Sequence, residues 1–263
     1  MTISMTISMD TVLGTLRVVA GVAIFFVWVV RYENIKKEFQ EYGLPSWLRD
    51  FIGIIKISFV AIIQFPNDIL AVQELIWKVK PDLIIETGIA HGGSLILSAS
   101  MLALMDLKDG HYDPKKRKVL GVDIDIRVHN KLAIESHPLF YLIEMIEGSS
   151  IDVSVIDQVE NIASEYRRIM IFLDSMHTHE HVLAELNAYA PLVSKDSYCV
   201  VFDTVVEQFP VGYYPNRPWD VGNNPKSAVD SWMEDRGDFV VDTDISAKLQ
   251  VSSNPGGYLK KVS

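Results

Sequence analysis

The segment Asp82-Leu-Ile-Ile-Glu86-Thr-Gly88-Ile-Ala-His-Gly92-Gly93-Ser94 constrains this chain more than any other part of it. Residues 83–86 form an apolar run that suits a buried parallel strand; the run breaks at glycines, and residues 95–104 beyond it read as a helix. A strand that enters a helix through a glycine turn points backbone N–H groups and the positive helix end at one spot, and Glu86 adds an acceptor there. A dinucleotide turn would read Gly-x-Gly-x-x-Gly. Here the glycines fall as Gly88-x-x-x-Gly92-Gly93, the looser arrangement expected of a nucleoside cofactor that lacks a pyrophosphate. S-adenosylmethionine is the leading candidate, with an ordinary tight βα connection as the alternative for the turn taken alone.

Composition narrows the partners. With 263 residues, 49% hydrophobic and 22% charged, the chain can bury a real core and is not a largely disordered polymer. A net charge of −10 argues against a nucleic-acid surface, since the only basic cluster is Lys115-Lys116-Arg117-Lys118, expected to be a solvated loop before a strand. The single cysteine, Cys199, lies in the apolar run 198–202, which excludes an internal disulfide and predicts a buried, reduced thiol.

Residues 1–58 read as an apolar helical head. The run 18–30 is apolar throughout and lengthens to residue 12 if Arg17 snorkels, which approaches the lower limit of about 17 residues for crossing a bilayer. Arg31, Lys36 and Lys37 follow it, so by the positive-inside tendency a spanning helix would leave the rest of the chain in the cytoplasm, anchored to the inner membrane. The alternative is a helical collar, which would suit a homo-oligomer interface. A second apolar stretch, 51–65, fits an interfacial segment, a second membrane segment or a segment packed on the main domain. Tyr42-Gly-Leu-Pro-Ser-Trp-Leu-Arg49 resembles segments of DoxX-type membrane proteins.

From residue 59 onward a second domain is expected, in which helical and apolar patterns alternate. Strands are expected at 83–86, 119–122, 141–146, 169–173 and 198–202, and a helix at 68–79. Fully apolar strands separated by helices imply a parallel sheet covered on both faces, with ligands at the carboxyl ends of its strands. Glu86, Asp123, Asp174 and Asp203 each close or follow an apolar run, so one rim should carry a row of carboxylates. Residues 239–241 and 249–252 are expected to form an antiparallel pair that closes the sheet, with Asn254-Pro-Gly-Gly257 as a turn.

Five motifs in order, Ile84-Ile-Glu-Thr-Gly-Ile-Ala-His-Gly-Gly-Ser94, Leu173-Asp-Ser-Met-His-Thr-His-Glu-His-Val182, Ala190-Pro-Leu-Val-Ser194, Val200-Val-Phe-Asp-Thr204 and Asn254-Pro-Gly-Gly-Tyr258, together resemble the cephalosporin hydroxylase family. The resemblance runs from about residue 62 to the C-terminus. It implies an α/β, Rossmann-like methyltransferase fold, with a mostly parallel sheet, helices on both faces and an antiparallel closing strand. It also implies an S-adenosylmethionine-dependent O-methyltransferase that acts on a hydroxyl of a sugar or another small polyhydroxylated acceptor, since the family includes sugar O-methyltransferases. Two other readings stand beside it: oxidation, as the family name suggests, and a membrane-tethered cofactor-binding protein without turnover.

In the methyltransferase reading, Glu86, Gly88 and the Gly92-Gly93-Ser94 turn hold the methionine part of the cofactor, and Asp123 accepts from the ribose hydroxyls. Ser149, between Gly148 and Ser150, flanks the adenine, although Ser149 and Ser150 equally suit capping of the helix that follows. His91 is expected to pack over the ligand. The run Asp174-Ser-Met-His177-Thr-His179-Glu-His181 does not favour zinc, because alternate positions on a helix fall on different faces. A hard ion such as Mg²⁺ between Asp174 and Asp203 fits better, and the resemblance supports such a site. There is one departure: Phe202 stands where a second carboxylate beside Asp203 is expected, with Glu207 as a speculative substitute. Without metal, His177 is the favoured general base, oriented by Asp174, with helix capping as its structural alternative. The aromatic, turn-rich segment 213–225 reads as a lid or acceptor wall.

Overall fold

The computed structural model describes residues 66–110, 116–234 and 236–263. The boundary expected at 58/59 and the apolar runs at 12–30 and 51–65 lie outside the described residues, as does the DoxX-like segment. No helix among the described residues is long and apolar enough to cross a membrane.

The apolar runs become strands because their side chains are wanted on both faces of a covered sheet. Strands β1 (Leu83–Thr87), β4 (Ile169–Leu173) and β5 (Tyr198–Val201) are buried at every position. With β2 (Lys118–Asp123), β3 (Ile143–Glu147), β6 (Phe239–Val241) and β7 (Tyr258–Lys261), they form one seven-stranded sheet of order β3-β2-β1-β4-β5-β7-β6. Strands β1 to β5 pair in parallel, while β7 runs antiparallel to both β5 and β6. The mostly parallel sheet expected from the alternation is present, and it puts the ends of β1, β2, β4 and β5 on one rim.

Successive strand residues point to opposite faces, and the core divides accordingly. Ile84, Val119, Met170 and Val200 pack with α1 (Pro66–Val79) and α2 (Gly93–Asp109) through Ile76, Leu95 and Leu102. Their neighbours Ile85, Leu120, Ile171 and Val201 pack with α4 (Val153–Ala163), α5 (His179–Tyr189) and α6 (Pro225–Met233) through Val159, Leu186 and Trp232. Short helices α3 (Val128–Glu135) and α7 (Thr243–Leu249) complete the described α-helices. Cys199 is fully buried and unpaired, as expected of a reduced thiol in the second layer.

Two sequence expectations need correction. Residues 249–252 are not a strand: Leu249 ends α7, and the antiparallel partner of β6 is β7, where Val241 faces Leu259 and Phe239 faces Lys261. The segment Asn254-Pro-Gly-Gly257 therefore leads into β7 instead of joining a pair. Nor is Arg117 solvated. It is buried between the carboxylates of Asp106 and Asp109, which lie in the last turns of α2, and its Nη2 is 2.7 Å from Asp109.

The junction of β5 and β7 depends on Gly257, where an added Cβ would stand 2.1 Å from the carbonyl oxygen of Val201. That carbonyl belongs to the tight pair in which Val201 N–H donates to Gly257 O at 2.8 Å. Gly257→Ala is expected to destabilise the domain by about 1–3 kcal/mol or more through forced separation of the two strands. Urea unfolding checks this, and an unchanged midpoint would remove Gly257 from the argument.

Candidate active site

A cleft of about 420 Å³ opens at the carboxyl rim of the sheet, lined among others by Gly88, Asp123, Ser149, Asp174, His181 and Trp219. The glycine turn makes its first wall. Gly88 has φ +91, and an added Cβ would lie 2.0 Å from the carbonyl oxygen of Asp174, so only glycine lets the end of β1 pass so close to the end of β4. Gly92 caps α2 with φ +80, a conformation strained for any residue with a Cβ, and a Cβ there would strike the Ile134 side chain. A Cβ at Gly93 would meet nothing within 4 Å, which leaves the positive end of α2 bare.

Asp123 ends β2 and pins the turn. Its Oδ2 accepts from Ile89 N–H at 2.7 Å and Ala90 N–H at 3.1 Å, and its Oδ1 accepts from Asp125 N–H at 3.0 Å. Two carboxylate oxygens offer about four acceptor sites, so capacity remains for a ligand hydroxyl on the cleft side. Asp125 takes part through its backbone and does not cap α3, whose N-cap is Arg127. Ala90, with φ +44, is tied to α3 by Asn130, which donates to Ala90 O at 2.7 Å and stands 3.4 Å from His91 Nδ1. His91 itself is exposed and held at the side of the turn, outside the lining of the cleft. Asn130 was missed in the sequence because its partner lies 40 residues away, with no local pattern to signal it.

Glu86 lies behind this wall, 1% exposed, with one oxygen bonded to the Ser94 hydroxyl and the other, Oε2, without a partner among the described residues. Burial raises its pKa to about 8, against the lowering effect of Ser94 and with a further rise from Asp174. A buried, half-satisfied carboxyl is costly, by about 1–3 kcal/mol for the open acceptor. A cationic ligand group, such as the ammonium of a methionine moiety, fits that unmet acceptor.

The floor is a hydrogen-bonded cluster. Ser150 Oγ lies 3.0 Å from His181 Nε2, which is also 3.1 Å from Ser175 Oγ, and Ser175 donates to the fully buried Glu185 at 2.7 Å. Neither Ser149 nor Ser150 caps α4. Asp152 does, accepting from Ser154 N–H. Ser149 remains in the cleft wall.

An acid–imidazole group adjoins Asp174, which lines the cleft. Donor atoms of Asp174, His177 and Asp203 all lie within 4.8 Å of one another. The carboxylate that hydrogen-bonds His177 is Asp203, with Nε2 to Oδ2 3.1 Å, and not Asp174 as the sequence suggested. Asp174 has its pKa raised to about 7 by burial and then by Asp203, with His177 opposing. His177 is pushed down by burial, but the hydrogen bond and charge of Asp203, with the charge of Asp174, outweigh that and hold it above its usual value. Its ring meets Trp219 edge to face at 4.8 Å, and Arg217 lies over the other ring system at 5.1 Å. Trp219 thus brings the segment 209–224 down onto the cleft.

Phe202 turns away from this group into the core, edge to face with Phe172 at 5.9 Å, so the position beside Asp203 supplies no ligand atom. Glu207 does not replace it: its Oε2 is taken by the Gly222 N–H at 2.8 Å and by the Asn224 side chain, which ties it to the loop 209–224. Two carboxylates and one imidazole remain as a donor set that can accommodate a divalent ion.

Residues 53–262 match the family model Rhamnosyl O-methyltransferase/CmcI. The match begins beyond residues 42–49 and gives the DoxX likeness no support. A rhamnosyl O-methyltransferase of Mycobacterium tuberculosis strain H37Ra is 28% identical over 197 residues, covering 73% of this chain and 72% of the relative. The Mycobacterium leprae protein of the same name is 28% identical over 195 residues, covering 73% and 77%. Among solved structures, CmcI with S-adenosylhomocysteine superposes with a TM-score of 0.50 at 16% identity, covering 76% of this chain and 79% of that one. The O-methyltransferase TomG from Streptomyces achromogenes in complex with S-adenosylmethionine gives 0.50 at 15% identity, covering 88% and 89%. These two likenesses support the fold.

Because Glu86 is pushed up to about 8 in the folded chain, the fold binds its proton more tightly than the unfolded chain does. Its contribution is therefore fully present below the ordinary value near 4.5 and is lost as pH rises towards about 8. Asp174 adds a similar loss that ends near pH 7. Glu86→Gln is expected to flatten the fall in stability, most visibly between pH 7 and 8, and to weaken S-adenosylmethionine binding. Thermal melts across pH check the first and calorimetric titration the second; a wild-type slope retained in the variant would contradict the burial argument.

Proposed function

Because the chain belongs to the rhamnosyl O-methyltransferase/CmcI family, it is an S-adenosylmethionine-dependent O-methyltransferase, and we propose that Glu86, Asp123 and the glycine turn hold the cofactor while His177 serves the acceptor hydroxyl. The acceptor is a hydroxyl of a sugar or of another small polyhydroxylated molecule, and a glycoside such as a rhamnoside is the first candidate, given the activity for which the mycobacterial relatives are named. The observation that carries this reading is the packing of Gly88 against the Asp174 carbonyl, which sets a cofactor-type turn beside an acid–imidazole group.

The cofactor supplies an electrophilic sulfonium methyl group; the chain supplies binding, orientation and a proton acceptor. Glu86 Oε2 would receive the ammonium group, and its carboxyl would ionise on doing so. Gly88, Gly92, Gly93 and Ser94 shape that end, Asp123 would accept from the ribose hydroxyls, and Ser149 would border the adenine. With His177 Nε2–H donating to Asp203, the Nδ1 lone pair is left to take the hydroxyl proton, and Asp203 stabilises the imidazolium that results. The raised pKa of His177 makes it a stronger base than a free imidazole, so kcat/KM should climb with pH through a limb above 6.5. Asp174 and Asp203 would hold Mg²⁺ or a similar ion, which would lower the pKa of the acceptor hydroxyl. The aromatic group Phe209, Tyr213 and Tyr214, with Phe209 and Tyr213 stacked at 4.6 Å, would act as a lid against which a sugar face packs.

Oxidation is not favoured, since the relatives that match are named for O-methyl transfer. For residues 12–30 we retain the proposal of a membrane anchor with the catalytic domain on the cytoplasmic side, supported by the flanking Arg31, Lys36 and Lys37. Resistance to carbonate extraction is expected; full release of the chain by carbonate would refute the anchor.

Transfer of radiolabelled methyl from S-adenosylmethionine to a panel of glycosides tests the activity. In that assay His177→Ala is expected to lower kcat by ~10²–10⁴-fold, the usual loss for a removed general base, with Asp203→Asn milder. Because Phe202 removes a ligand position, chelation is expected to lower the rate only modestly. Complete loss on chelation, restored by Mg²⁺, together with an active His177→Ala, would transfer the role from the imidazole to the ion.

A further inference from the structure

Asp203 occupies an unusual backbone position for its importance: it is a non-glycine residue with φ +55 and ψ 25 at the end of β5. Left-handed geometry is unfavourable for an L-residue, least so for Asp and Asn, and a neighbour here reinforces it. The neighbour is Asn254, fully buried, whose Oδ1 accepts from Asp203 N–H at 2.9 Å across 51 residues of chain. The next two residues are held from the same loop, as Thr204 Oγ1 donates to Pro255 O at 3.0 Å and Val205 N–H donates to Ser253 O at 3.0 Å.

Asn254 is in turn anchored by Asp68, buried in the first turn of α1. Asp68 Oδ1 accepts from Tyr258 Oη at 2.7 Å and from Asn254 Nδ2 at 3.3 Å, and its Oδ2 accepts from Ser253 N–H at 2.8 Å. A chain of hydrogen bonds therefore runs from α1 through Asp68 and Asn254 to the backbone of Asp203, and on through its carboxylate to His177 at 3.1 Å. We propose that Asn254, braced by Asp68, is a positioning residue for methyl transfer: it holds Asp203 in the left-handed conformation that aims its carboxylate at His177. This rests on the proposed roles of Asp203 and His177.

A misplacement of order 1 Å at a reacting group lowers a rate by ~10²-fold. Asn254→Ala is therefore expected to lower kcat by ~10–100-fold while KM for S-adenosylmethionine stays within about twofold. In an Asp203→Asn background, Asn254→Ala should add no further loss, because its effect passes through the Asp203 carboxylate. An equal loss in both backgrounds would overturn the proposal and leave Asn254 a general structural residue. A fully active Asp203→Asn would refute the catalytic reading instead. The crystal structure of Asn254→Ala, or of Asn254→Ser if the first does not fold, decides the geometric claim independently of turnover. Asp203 is expected to leave φ +55 and part from His177; a retained conformation and contact would overturn it.

Discussion

The approach of Gly88 to the carbonyl of Asp174 is the contact on which the site depends. Strands β1 and β4 are hydrogen-bonded neighbours in register up to Thr87 and Leu173, so the residues that follow must leave the sheet side by side. With Asp174 O only 2.0 Å from where a Cβ would sit, any side chain at Gly88 would force the two exits apart. Glycine there lets the turn after β1 lie directly beside Asp174, the member of the acid–imidazole group that lines the cleft.

Charge on that rim is managed by burial and pairing. Glu86 and Asp174 both have pKa values pushed into the neutral range, chiefly by desolvation, so without a ligand the rim carries fewer negative charges than its carboxylates could supply. Asp203 keeps a partner in His177, and Asp123 keeps three backbone donors. Groups poised in this way respond to an arriving cation: ammonium or sulfonium near Glu86, or a divalent ion near Asp174, would favour the ionised forms.

Much of this was legible in the chain because the parallel core leaves a strong signature. Residues 83–86, 119–122 and 169–173 are continuous apolar runs closed by acids, and the rim carboxylates followed directly from that pattern. What escaped depended on distance or on weak local signal. Strand β7 was missed since Tyr258-Leu-Lys-Lys261 ends in two lysines and makes no apolar run, although it pairs on both sides, whereas the leucine and valine at 249–251 mimicked a strand. The burial of Arg117, the tie between Asn130 and Ala90, and the choice of Asp203 over Asp174 as the partner of His177 are all set by tertiary contacts that no local spacing encodes. The Glu207 side chain shows the converse: a carboxylate near the site whose hydrogen bonds commit it to the lid.

The central claim is that one rim holds the cofactor between Glu86 and Asp123 with its reactive end towards His177 and Asp203. A crystal structure with bound S-adenosylhomocysteine measures this most directly. The account predicts the ammonium group against Glu86 Oε2, the ribose hydroxyls on Asp123 and the sulfur directed towards the His177 side of the cleft. Density for the ligand elsewhere, or at this rim with Glu86 and Asp123 both left without a ligand contact, would contradict it.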